Sequence, residues 1–226
     1  TGCNEVGINV VDVRHEATAV FAAEAVSRLS NRIGVVAVTA GPGLTNAITA
    51  IKNAQMAQVS VLILGGATAT VLKGRGSLQD IDHLALVKSN TKLAVTIKRV
   101  RDIQITLEEA ILIANSGVPG PVYVELPVDI LYPESLVREW YGLKSASQNI
   151  PWWLTRYLNW NVNRIFKDKN RSYFQSTPSE KIKPTALHFS KVFEYLNNAQ
   201  KPILLIGSQA MRNSQQANSL AEAVKT

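Results

Sequence analysis

Cysteine is nearly missing from this chain. Cys3 is the only one in 226 residues, so neither an intrachain disulfide nor a cysteine-built zinc site can form. Histidine is scarce as well: His15, His83 and His188 stand far apart in sequence, a poor basis for a histidine metal cage. Glycine and proline number 13 and 9, too few for a collagen-like or low-complexity chain. No uninterrupted apolar run reaches the ~18 residues that a membrane-crossing helix requires. The first residues hold neither a Met nor a basic stretch leading into an apolar one, so they do not read as a secretory leader. The last residues, NSLAEAVKT, stop inside a helical pattern. The chain is therefore read as a fragment cut at both ends.

Positive charge is present but unevenly placed. The formal net charge is +7. Between Arg138 and Lys183 stand nine Lys or Arg against three acids, and the remainder of the chain is nearly neutral. The high isoelectric point thus describes one segment, and no nucleic-acid partner is expected from it. With 46% hydrophobic and 18% charged residues, the chain has the composition of a folded globular protein of one to two domains.

The hydropathy pattern up to about Leu126 alternates short β-branched runs with longer helical stretches. VGINVVDV (6–13), IGVVAVT (33–39), VSVLILGG (59–66), LAVTI (93–97) and VYVEL (122–126) read as buried strands. Helices are expected over His15 to Leu29, Leu44 to about Ala57, a short piece at IDHLALV, and Asp102 to Asn115 with Asp102 as N-cap. Apolar strands joined by helices imply right-handed crossovers. The expected fold class is α/β: a doubly wound, mostly parallel sheet with helices on both faces. After a run from about Pro133 to Pro184 that breaks the alternation, TALHFSKVFEYLNNAQ reads as an amphipathic helix with Leu187, Val192, Phe193 and Leu196 on one side. KPILLIGSQA (201–210) reads as a strand and glycine turn, and a further helix starts near Asn213. This is the start of a second α/β domain.

Ligands of open parallel sheets bind beyond the carboxyl ends of the strands. Four turns lie there: Arg14-His15-Glu16, Ala40 to Asn46, Gly65-Gly66 and Gly207-Ser208. Glu16 opens a helix directly after a strand, where a carboxylate also complements the helix dipole. The turn Gly41-Pro42-Gly43-Leu44-Thr45-Asn46 departs from a dinucleotide fingerprint: Pro42 removes an amide that would cradle phosphate, and Asn46 replaces the third glycine. A stiff turn presenting main chain to a ligand remains.

Taken in order, VVDVRHEATAVFAAEAVSRLS, VAVTAGPGLTNAITAIKNAQMAQVSVLILGG, GSLQDIDHLALV and SGVPGPVYVELPVDI resemble the pyrimidine-binding domain of thiamine-diphosphate enzymes of the acetolactate synthase group. KNAQMAQ and RVRDI are similar to the animal branch of that group. The resemblance covers about residues 5–136, so that residues 1–136 are read as an N-terminally truncated pyrimidine-binding domain, and more loosely residues 185–226, read as the start of the central domain. Residues 137–184 form a basic aromatic linker or insertion between them.

What the resemblance implies follows residue by residue. Glu16 matches the glutamate that shares a proton with N1′ of the aminopyrimidine. That sharing favours the imino tautomer, which removes the thiazolium C2 proton. A Glu in a dry pocket there would hold its proton more readily than a solvated one. Gly41, Pro42, Gly43 and Asn46 match the cofactor-binding loop against the pyrimidine. Gln79 matches a glutamine facing the reaction centre, and it equally suits a solvated residue opening a short helix. His15 is expected to be structural, Asp80 and Asp82 to be first-turn helix residues, and His83 to lie at the surface or an interface. The cofactors implied are thiamine diphosphate and Mg²⁺, the latter held by a Gly-Asp-Gly motif that this chain lacks and that belongs to a C-terminal domain. FAD or ADP occupancy of the central domain stays open. The partners implied are a second copy of the intact subunit, whose opposing domain completes the site, and a small-molecule substrate.

Cleavage of 2-hydroxyacyl-CoA to an aldehyde and formyl-CoA is the activity implied for the intact enzyme, with acetolactate-type condensation of 2-oxo acids as the alternative. A non-catalytic dimerisation or membrane-attachment module is the alternative of another class. The segment 150–174 carries three of the four Trp residues among Arg and Lys. It reads either as a helix docked on the protein or as one lying on a membrane surface. The resemblance implies an endoplasmic reticulum membrane location.

Overall fold

The computed structural model describes residues 2–30, 32–143, 150–169, 185–211 and 214–223. In chain order the elements are α1 (Gly2–Glu5), α2 (Glu16–Ser30), β1 (Gly34–Val38), α3 (Pro42–Met56), β2 (Val61–Ala67), α4 (His83–Val87), β3 (Leu93–Thr96), α5 (Ile103–Asn115), β4 (Val122–Pro127), α6 (Glu134–Trp140), α7 (Trp152–Phe166), α8 (Ala186–Asn198) and α9 (Ser214–Ala223).

The four strands form one parallel sheet in the order β1-β2-β4-β3. The chain moves one way across the sheet through α3 and back through α5. Right-handed crossovers in opposite directions place these helices on opposite faces. The side-chain alternation of β2 agrees: Val61 and Ile63 join the core under α2 and α3, whereas Leu62 joins the core under α5. Close approach of α2 to the sheet depends on Gly34, where a Cβ would overlap the Ala23 carbonyl. The α/β fold with helices on both faces is the one the hydropathy pattern predicts.

Two expected strands are not strands. Residues 6 and 7 form a turn and residues 8–13 pair with no described strand, with Val11 78% exposed. Residues 202–207 are likewise unpaired, with Leu205 91% exposed. β-Branched composition makes a segment suited to a pleated surface, but a strand exists only where a neighbour supplies the ladder. Among the described residues β1 has β2 as its one strand neighbour, so its other edge is open.

Residues 144–149 and 170–184, part of the basic aromatic segment, lie outside the described residues, as does Asn213, where the last helix was expected to start. In the described part, α7 docks. Val162, Ile165 and Phe166 are buried with Ile97, Ala110 and Val124, while Trp152, Trp153 and Trp160 face outward. Arg164 lies 5.3 Å from the Trp160 ring centre, and Arg138 of α6 donates to Asn159 and Asn163 of α7. The membrane location is overturned: among the described residues no helix is long and apolar enough to cross a membrane. By contrast α8 has its expected amphipathic face uncovered, with Val192, Phe193 and Leu196 all exposed.

Candidate functional site

The carboxyl ends of the parallel strands gather the candidate residues. His15 starts α2: its Nδ1 accepts the Ala17 amide at 3.1 Å, and its carbonyl accepts the amides of Thr18 and Ala19. This satisfies donors that a helix start otherwise leaves unpaired, and it sets Glu16 at the head of the helix. Across from it, β1 runs into the turn that begins α3. Pro42 stands at the first helical position of α3 with its ring exposed, where its missing amide costs no intrahelical bond.

Asn46, one turn further, donates through Nδ2 to Glu16 Oε2 at 3.1 Å. Gly43 lies between them. A Cβ at that position would overlap Thr39 Oγ1 and stand 3.6 Å from Glu16 Oε1. Asn46 and Gly43, both of α3, thus lie against the Glu16 carboxyl. Its pKa is held below the ordinary glutamate range, first by its own backbone amide at the helix start, then by Asn46. In this chain Glu16 is half-exposed, so burial opposes ionisation only weakly.

Gly41 adopts φ +60° and ψ −114°, a conformation open to glycine and strained for other residues. A Cβ there would also stand 2.9 Å from the Cβ of Gln79. The loop from β2 to α4 therefore brings Gln79, itself at φ +64°, against the glycine-proline turn. Asp82 caps α4, its Oδ1 accepting the Ala85 amide at 3.0 Å, and Asp80 accepts the Gly74 amide. Both behave as local structural residues.

His83 corrects its sequence expectation. It is 2% exposed, and its Nε2 accepts the Gly41 amide at 2.8 Å. Its Nδ1 meets Glu125 Oε1 at 2.8 Å. Glu125, fully buried at the centre of β4, receives Lys73 Nζ at 2.8 Å and Thr96 Oγ1 on Oε2. Burial by itself would raise the Glu125 pKa. The hydrogen bonds from Lys73, Thr96 and His83 and the Lys73 charge together bring it below the usual carboxylate range. The sequence motifs do not include this group. One signal was available: a glutamate inside the apolar run VYVEL, since a charge in a buried strand needs partners.

A second buried carboxylate, Asp129, accepts the Thr70 amide, the Thr70 hydroxyl and the Tyr141 hydroxyl on Oδ2. Asn161 of α7 donates to the same threonine at 3.3 Å, tying α6 and α7 to the end of β2. Among the described residues no group of three His, Cys, Asp or Glu could hold a metal ion.

An open carboxyl beside a glycine-proline-glycine turn at the end of a parallel sheet is the arrangement of a particular class. Residues 1–86 match the N-terminal TPP binding domain of the thiamine pyrophosphate enzymes. It is similar over almost all its length to proteins named 2-hydroxyacyl-CoA lyase 2. Identity is 44% over 229 residues with that of Homo sapiens and 47% over 223 residues with that of Caenorhabditis elegans, covering 99% and 98% of this chain. The chain spans 36% and 35% of the length of those relatives. A protein named probable acetolactate synthase from Mycobacterium bovis is 40% identical over 128 residues, 57% of this chain and 23% of that protein. None of these names states a location.

The residues present fit the pyrimidine end of thiamine diphosphate. Gly43 leaves bare the space that a Cβ would fill beside Glu16, Pro42 offers an exposed apolar ring, and Glu16 supplies a carboxyl able to share a proton with a ring nitrogen.

Proposed function

We propose that this chain supplies the pyrimidine-holding half of a thiamine-diphosphate site. In the full-length enzyme that site cleaves 2-hydroxyacyl-CoA to an aldehyde and formyl-CoA. The observation that carries the reading is the Glu16 carboxyl, fixed by Asn46 against Gly43 at the head of α2. When bound, thiamine diphosphate supplies a thiazolium carbon that adds to a carbonyl and holds the electron pair released on C–C cleavage. Glu16 takes and returns the proton at the ring nitrogen it faces. Asn46 orients the carboxyl and, by donating to Oε2, leaves Oε1 for the ring. Gly41, Pro42 and Gly43 form the wall against which the ring lies, and Gln79 reaches toward the substrate carbonyl from the opposite side of that turn. Mg²⁺ and the diphosphate belong to a separate C-terminal domain, and a second copy of the subunit closes the site over Glu16.

The choice of 2-hydroxyacyl-CoA rests on relatives of that name matching nearly the whole chain, against 57% for the acetolactate synthase relative. Acetolactate-type condensation is the second reading, supported by that 40% identity.

Exchange of the thiamine C2 proton, followed in the full-length protein by deuterium uptake, tests the role of Glu16. Glu16→Gln is expected to slow exchange by about 10²–10⁴-fold, the range for loss of a positioned proton-transfer group, with cofactor binding largely kept. Equal exchange in both proteins removes Glu16 from the chemistry, and exchange no faster than that of the free cofactor in both favours a non-catalytic module. Release of formyl-CoA from a 2-hydroxyacyl-CoA, compared with acetolactate formation from pyruvate, separates the two enzymatic readings.

A further inference from the structure

The Gly41 amide points its hydrogen at His83 Nε2, so that nitrogen carries a lone pair. The ring's proton then sits on Nδ1 and is donated to Glu125 Oε1. A doubly protonated ring would set two N–H groups against each other at Gly41. The carboxylate that selects this tautomer is itself fixed by Lys73 from the β2–α4 loop and Thr96 from β3. A continuous relay therefore runs from the centre of the sheet to the backbone of the turn: Lys73 and Thr96, Glu125, His83, Gly41. All of its members apart from Lys73 lie buried or half-buried. The turn needs such an anchor. Gly41 sits at positive φ, Pro42 contributes no amide, and Gly43 brings no side chain to pack.

We propose that His83 is a positioning residue for the cofactor. Held between Glu125 and the Gly41 amide as the neutral Nδ1–H tautomer, it fixes the Gly41–Gly43 wall at the distance from Glu16 and Gln79 that the pyrimidine ring requires. This rests on the cofactor reading given above. His83 itself touches no reacting atom; it acts through Gly41.

Two substitutions in the full-length protein test it. His83→Gln keeps a donor for Glu125 and an acceptor able to reach Gly41. His83→Asn is one methylene shorter: it still satisfies Glu125, which protects the fold, but falls short of Gly41. Hydrogen exchange of the peptide spanning residues 39–46 is measured by mass spectrometry without cofactor, with the peptide over β2 as internal control. Thiamine diphosphate affinity is measured with Mg²⁺ present. His83→Asn is expected to speed exchange in the turn at least ten-fold, leave β2 unchanged, and weaken cofactor binding at least ten-fold. His83→Gln is expected to stay within three-fold of wild type in both. Exchange and affinity within two-fold of wild type in His83→Asn overturn the proposal, as does equal damage in His83→Gln. Failure of the cofactor to slow exchange of residues 39–46 in wild type overturns the cofactor reading instead. The cofactor-free comparison separates that failure from a failure of the His83 anchor.

Discussion

Glu125 shows how a single charged residue can be accommodated inside a sheet. Its register partners on β2 and β3 are Gly65 and Thr96. One neighbour offers no side chain and the other a hydroxyl donor, so the carboxylate fits between them and reaches His83 and Lys73. Glu125→Gln replaces charge-assisted hydrogen bonds by neutral ones, with an expected loss of about 2 kcal/mol at pH 7. The native pKa lies below the unfolded value of roughly 4.3, so this stabilisation is present above that value and disappears as pH falls through the native one. Chemical denaturation of both proteins should therefore give curves that differ at neutral pH and converge under acid. A gap that persists unchanged at low pH would assign the effect to packing. At this scale the sequence is informative about residues that sit at turns after strands. Glu16, Gly43 and Asn46 meet, and Gln79 lies on Gly41, although no described strand precedes Glu16: α2 leads back into β1, so its head lies at the end of the sheet where the β1–α3 turn opens. His83 and Thr39 were not legible. Which way a residue of a short helix faces depends on the loop that delivers it, and the loop before α4 has no periodic pattern to read.

Helix α7 has two unlike sides, and they should respond differently to truncation. Ile165 is fully buried against the sheet's second face, whereas Trp152 is 79% exposed. Ile165→Ala is expected to destabilise by about 2–5 kcal/mol through lost transfer energy and a residual cavity. Trp152→Ala should stay within about 0.5 kcal/mol, as read by urea unfolding. Comparable losses would mean that the outward tryptophans are covered in the folded protein. Helices α2, α3 and α5 and the four paired strands were legible because period and length agree with tertiary contact. Residues 6–13 and 202–207 have strand composition without strand pairing, for a reason that composition cannot supply. Their alternation describes what they would do beside another strand, and pairing is a property of two segments. The same limit applies to Asp102. It precedes α5 as expected, yet its side chain makes no cap bond and turns instead to Arg99 at 2.7 Å.

At the scale of the molecule, stability is concentrated between two cores that share one sheet. Tyr123 and Ile63 serve the face under α2 and α3, while Val122, Val124 and Leu62 serve the face under α5, α6 and α7. Local opening follows buried contacts. Amides of β2 and β4 are accordingly expected to exchange slowest in the 226-residue chain, and those of residues 8–13 and 202–207 within seconds. Slow exchange at 8–13 would show that this segment has found a partner. The Asp129–Thr70–Tyr141 cluster joins α6 to the sheet, so protection should extend through Tyr141.

The side of β1 that no described strand covers carries a physical consequence for anyone handling the bare polypeptide. Alternating amide hydrogens and carbonyl oxygens along that border repeat at the spacing of a growing ribbon, and Val35 adds an apolar contact beside them. Concentrated solutions should therefore lengthen by strand-to-strand addition between molecules, unless a peptide laid along the border satisfies those groups first.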